Sequence, residues 1–161
     1  MGRYVIPFFT FTMLWISVFS TDVLANEELS REEILQQRMA YYIHFGEFLV
    51  PWYYLAAIDQ YERNIQSVRS DIPKRDSVIA IQFSEEYWNG PLNSTDGDSP
   101  TSDISYFGGV GLDGNGDGIA DRNNDEDIIY TMASYLSQFG LEEENFKLAL
   151  YEYYYTEEAV N

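Results

Sequence analysis

The chain has 161 residues, of which 45% are hydrophobic and 17% aromatic, enough to bury a core and too apolar for a disordered polypeptide. Nine Lys and Arg against 27 Asp and Glu give a formal charge of −18. That excludes nucleic acid as a partner, because binding it requires cations against the phosphates. Cysteine is absent, which excludes disulfides and thiol chemistry.

Met1-Gly2-Arg3 is a short basic start, residues 5–19 are almost entirely apolar, and Val23-Leu24-Ala25 offers a small-residue cleavage site. Together these predict a secretory signal peptide over residues 1–25. The alternative, an uncleaved membrane anchor, is disfavoured because the apolar run falls short of the roughly 20 residues that span a bilayer. Once the signal is cleaved no stable membrane span remains. Residues 26–161 then suit one domain. An exported domain without disulfides points to a bacterial exoprotein.

Ser30-Arg31-Glu32-Glu33 is a capping box, followed at helical spacing by Ile34, Leu35, Met39, Tyr42 and Ile43, which predicts a helix over 30–47 with those residues inward. His44 reads as a partly buried member of it. Pro51 suits the first turn of a second helix reaching about residue 66, which carries Trp52, Leu55, Ala56, Ile58 and Ile65. Residues 72–75 are a break, and 76–83 read equally as a short helix or a strand. Ser84 caps a single turn through Trp88. Residues 93–103 form a polar loop, in which the sequon Asn93-Ser94-Thr95 is a chance match in a bacterial protein. A helix over 128–139 is stopped by Gly140. The last helix, 142–155, places Phe146, Ala149, Leu150, Tyr153 and Tyr154 on or beside its inner face. The fold class is all-α.

Between the polar loop and the fifth of these segments lies "LDGNGDGIADRNNDEDI", residues 112–128. With Asp113 as position 1, Asn115 falls at 3, Asp117 at 5, Gly118 at 6, Ile119 at 7 and Asp121 at 9. Oxygen side chains at 1, 3 and 5, a glycine at the sharp turn and a carbonyl at 7 form an EF-hand-like calcium pattern. Asn124 stands at 12 in place of the bidentate Glu. Asp127 serves instead in a slightly longer loop, at the mouth of the next helix, where its charge meets the positive end of the dipole. The predicted calcium ligands are therefore Asp113, Asn115, Asp117, the Ile119 carbonyl and Asp127. Outside the cell, where calcium is plentiful, one loop acts as a structural staple. The plainer reading is an acidic turn with no ion.

The stretch "VPWYYLAAIDQYE", residues 50–62, resembles the start of the catalytic region in lytic murein transglycosylases of the goose-lysozyme-like, membrane-bound-B type. Gln82-Phe83 looks like that family's Gln-Phe, with Tyr87-Trp88 following. Residues 113–127 are similar to its calcium loop, "TMASYLSQFG" to its A-x-Y-L helix, and "LALYEYY" to its A-L-x-x-Y-N element. Closer still is the resemblance to the N-terminal half of secreted spore-cell-wall endopeptidases of bacilli, of the L-Ala–D-Glu type. Those carry a zinc peptidase domain after such a helical region. One His and no Cys cannot assemble its His/Asp/His zinc site, so no metallopeptidase activity is expected of this chain alone.

The resemblance implies a lysozyme-like helical domain, secreted and acting at the bacterial cell wall or spore envelope, with peptidoglycan glycan strands as partner. It implies Glu62 as the single acid/base, with Gln82, Tyr87 and Tyr153 lining the sugar groove. The sugar's own hydroxyl would be the nucleophile, leaving a 1,6-anhydro product. Arg63-Asn64 depart from the residues that follow the family's Glu, and Tyr154 replaces its sugar-placing Asn. The alternative implied is a non-catalytic half that positions a peptidase domain. A calcium-dependent interaction module of dockerin type fits less well, since such modules pair two loops and are shorter.

From the residues alone, Glu62 as a general acid needs its pKa raised by burial or a like charge. Trp52, Tyr53, Tyr54 and Tyr61 are available as walls. Asp59, on the same helix face, would repel it, and Arg63 would oppose the shift if turned inward. A solvated helix glutamate is the bland alternative.

Overall fold

The computed structural model describes residues 29–72, 74–75, 77–93 and 99–155. The predicted signal peptide lies outside them, as does most of the sequon. Six helices and one short antiparallel strand pair occur among the described residues: α1 Arg31–Gly46, α2 Trp52–Val68, α3 Glu85–Asn89, β1 Ser99–Pro100, α4 Thr101–Tyr106, β2 Ile119–Ala120, α5 Asp125–Ser137 and α6 Glu143–Tyr154. The mostly helical class expected of the sequence is what is found. No described helix is long and apolar enough to cross a membrane.

α1 starts where the capping box places it. Ser30 Oγ accepts the Glu33 N–H, and the Glu33 carboxylate accepts the Ser30 N–H at 2.8 Å. Its inward face differs from the expected one. Tyr42 and Phe45 are buried, whereas Leu35, Met39 and Ile43 are 42–50% exposed and His44 is exposed too. The rotation has a cause on α2. Asp59 is completely buried there and draws in Arg38 (3.7 Å) and the Tyr42 hydroxyl (2.6 Å) from α1.

α2 buries Leu55, Ile58, Asp59, Glu62 and Gln66, so its inner stripe turns polar as it proceeds. Trp52, at the start of the helix, is 44% exposed. The reason for the polar stripe is the segment it faces. Ile79, Ala80, Ile81 and Phe83 are all buried, yet residues 79–83 are neither helix nor strand. Buried backbone groups must be paired, and here side chains do it. The Ala80 N–H donates to Asp59 Oδ1, Gln66 Nε2 donates to Ala80 O at 2.7 Å, and Arg75 Nη1 donates to the Ile79 and Ile81 carbonyls at 3.3 and 3.2 Å. Arg38 and Arg63 donate to Val78 O. A continuous apolar run is thereby threaded through the core without a sheet.

α5 is the most buried helix. Ile128, Ile129, Met132 and Ala133 are fully inaccessible, and α1, α2 and α6 pack around it. It begins at Asp125, three residues before the expected start, because Asn124 caps it by accepting the Glu126 and Asp127 N–H groups. Gly140 follows with φ +102°, in agreement with the predicted stop. α4 was not foreseen and lies at the end of the expected polar loop. It buries only Ile104, while β1 ahead of it pairs Ser99 with Ala120 and Pro100 with Ile119.

Candidate functional site

α2 and α6 each present their inner face near the threaded segment, and the three meet in a pocket of about 300 Å³. Its lining includes Glu62 from α2, Gln82 and Ser84 from the threaded segment and its end, Tyr87 from α3, and Glu152, Tyr153 and Tyr154 from α6. The four residues singled out from the sequence for the sugar groove, Glu62, Gln82, Tyr87 and Tyr153, are thus brought to one place.

Glu62 is 8% exposed. Burial pushes its carboxyl above the usual glutamate value of 4.5. The Tyr154 hydroxyl donates to Glu62 Oε1 at 2.7 Å and opposes that shift, while the charge of Asp59 adds slightly to it. Arg63, which would oppose the shift if turned toward Glu62, is engaged elsewhere. Its guanidinium turns away to Asp59 (2.9 Å) and to the Val78 carbonyl. Asp59 in turn is occupied by Tyr42, Arg38, Arg63 and the Ala80 N–H.

The walls are aromatic, though not chiefly the ones expected. Tyr61 packs edge-on to Tyr154 at 5.1 Å, and Tyr154 edge-on to Tyr153 at 4.7 Å. Phe83 stacks on Tyr87 at 6.2 Å and meets Tyr153 edge-on at 5.5 Å. The Tyr153 hydroxyl donates to the Gln82 carbonyl, fixing α6 to the threaded segment. Tyr54 instead stacks on Phe146 at 3.8 Å, and Trp52 lies on a separate apolar depression with Ile43, Phe48 and Leu141. The bond from Tyr154 to Glu62 has no direct signature in the sequence, which offers only the place of Tyr154 at the family's sugar-placing Asn and in a run of tyrosines on an inner helix face.

In the acidic loop the backbone wraps around side-chain oxygens. Asp113 Oδ1 accepts the Gly116 and Asp117 N–H groups and Oδ2 that of Gly118; Asn115 Oδ1 accepts Asp117 N–H, and Asp117 Oδ1 accepts Ile119 N–H at 2.8 Å. Gly116 and Gly118 have φ of +81° and +90°, which glycine alone adopts at no steric cost. Asp127 is fully buried and accepts the N–H groups of Gly114, Asn115 and Asp121, tying both arms of the loop to α5. Burial raises its carboxyl above the ordinary aspartate value, and those three bonds hold it back. The donor set is chemically right for a hard cation: Asp113 Oδ1 and Asp127 Oδ1 each already accept two N–H groups, but the second oxygen of each carboxylate accepts only one and keeps a lone pair. As placed, no three His, Cys, Asp or Glu among the described residues are gathered into a metal-holding group.

The arrangement is that of a single buried, hydrogen-bonded carboxyl at the foot of an aromatic groove. Over 149 residues, 91% of its length, the chain is 38% identical to the L-Ala–D-Glu endopeptidase of Bacillus subtilis (strain 168), and the match covers 45% of that protein. The chain therefore spans less than half the length of this relative. No family model matches the chain. No solved structure matches it either.

Proposed function

We propose that this chain is an exported cell-wall protein that holds a peptidoglycan glycan strand in the groove around Glu62. The single observation that carries the reading is the burial of Glu62 under Tyr154, in a pocket whose tyrosine rings suit the faces of sugars. The similarity to a bacterial protein named an L-Ala–D-Glu endopeptidase supports the setting, since a bond to a D-amino acid is foreign to ordinary proteins.

The chemistry follows from the raised carboxyl. Protonated Glu62 gives its proton to the glycosidic oxygen as that bond breaks. The resulting carboxylate then takes the proton of the sugar's 6-hydroxyl, which attacks C1 and closes a 1,6-anhydro ring. Gln82 and the tyrosines hold the strand, and Tyr154 steadies the carboxylate by donating to it. Calcium, held by Asp113, Asn115, Asp117, the Ile119 carbonyl and Asp127, would neutralise the loop and fasten it to α5.

A second reading is favoured by one fact, the 45% coverage of the relative. In it the chain is the helical part of a longer endopeptidase, binding the wall without cutting glycan. Incubation with purified sacculi, followed by mass spectrometry, separates the two. The lyase yields anhydro ends, and Glu62→Gln lowers their yield by about 10²–10⁴-fold, the usual worth of a general acid. Retention on sacculi without products leaves the binding reading. Ordinary reducing ends would instead make Glu152, on the rim of the same pocket, a base for water. Absence of both binding and products sinks the proposal.

A further inference from the structure

Beside the Glu62 groove, and sharing Gln82 with it, lies a second pocket of about 410 Å³ lined by Lys74, Arg75, Ser77, Gln82, Phe83, Arg122 and Asn123. Three of the nine Lys and Arg in a chain of charge −18 converge there. That concentration needs an explanation, and the fold supplies one for only part of it. Arg75 is committed to structure. Its guanidinium donates to the carbonyls of Ile79, Ile81 and Asn123 and pairs with Asp125 at 3.3 Å. Arg122 donates to Phe83 O at 3.2 Å and reaches the exposed Glu85 at 3.4 Å, which leaves most of its five N–H donors unspent. Lys74 is exposed and has no ion-pair partner among the described residues.

We propose that this pocket binds a free carboxylate of the peptide attached to the glycan strand, with Lys74 and Arg122 as its ligands and the Asn123 amide beside them. The inference rests on the reading of the Glu62 groove as the place where the strand lies. A strand seated there passes Gln82, the residue common to both pockets, and a peptide branching from it enters the cationic one. A chain of charge −18 disfavours an anionic substrate on balance, so a local cationic pocket sets where the peptide goes and in which direction the strand runs. The chain thus selects peptide-bearing strands over bare ones.

The test uses soluble glycan strands freed of wall phosphate polymers, one sample with its peptides intact and one stripped of them by an amidase. Affinities are measured by titration calorimetry. The wild-type protein binds the peptide-bearing strands about tenfold more tightly, the worth of one or two charge-assisted hydrogen bonds. That preference shrinks as sodium chloride is raised to about 0.5 M, because exposed charges are screened. Lys74→Gln with Arg122→Gln abolishes the preference and leaves bare-strand affinity unchanged. Lys74→Glu alone, at an exposed position with no ion pair among the described residues, reverses it. Equal wild-type affinity for both samples overturns the inference and leaves the groove reading intact, as does an unchanged preference in the variants. Binding of neither sample overturns both.

Discussion

Asp59 and Glu62 stand one turn apart on the same face of α2, and both are buried, yet they differ in what surrounds them. Asp59 meets two guanidinium groups, a phenol and a backbone N–H. Glu62 meets one phenol and an aromatic groove. The first carboxylate is fully used in holding α1 and the threaded segment to α2. The second is left with a raised affinity for a proton and an opening to a pocket. Three residues of sequence separate a structural anchor from a candidate acid, and the environment alone makes the distinction. Asp127, the other buried carboxylate among the described residues, falls between them, held by three backbone N–H groups.

Breaking the anchor has the largest expected effect. Asp59→Ala leaves Arg38, Arg63, Tyr42 and the Ala80 N–H facing one another without their acceptor, and costs about 3–5 kcal/mol in urea unfolding. A loss below about 1 kcal/mol would show that the threaded segment is held by packing instead. Asp127 responds next. Addition of ~10 mM calcium, against the 10⁻⁴–10⁻³ M affinities usual for extracellular loops, stabilises by about 1–3 kcal/mol in thermal melts. Asp117→Ala removes that gain. Identical melting with calcium and with chelator would show an ion-free acidic turn.

Sharpening the contrast at Glu62 takes smaller changes. Its folded carboxyl is raised above 4.5, so its contribution to stability is whole below about pH 4.5 and is lost as pH rises through the folded value. Glu62→Gln flattens that decline, and the variant is the more stable protein near neutrality. Tyr154→Phe removes the one group that favours the carboxylate. It pushes the carboxyl higher, steepens the loss with pH and costs about 1 kcal/mol. Urea midpoints at pH 4, 6 and 8 check both; parallel pH profiles for all three proteins would contradict the assignment.

Much of the helical frame was legible because local chemistry decides it. Ser30 and Glu33 close a capping box, Gly140 ends a helix, and the spacing of Ala149, Leu150 and Tyr153 survives as the inner side of α6. What stayed hidden depends on partners distant in sequence. Leu35, Met39 and Ile43 make a plausible inner stripe until Asp59 claims Arg38 and Tyr42 and turns α1. Residues 79–83 suit helix and strand equally, and they are neither, since their backbone bonds go to side chains, from Arg75 nearby to Asp59, Gln66 and Tyr153, 14–71 residues away. α4 has one buried apolar residue, Ile104, and so no periodicity to read. At the site, Glu62, Gln82, Tyr87 and Tyr153 could be picked out by resemblance to a family, and Tyr154 as a departure from it, but the bond from Tyr154 to Glu62 could not, because only the folded chain sets its hydroxyl there.

The most direct test of the distinction drawn on α2 is a carbon-13 NMR titration that follows the side-chain carboxyl of Glu62. The account predicts a midpoint above the ordinary 4.5, moving further up in Tyr154→Phe. A midpoint at or below 4.5 would mean a carboxylate with no proton to give, and Glu62 would then be no more an acid than its neighbour.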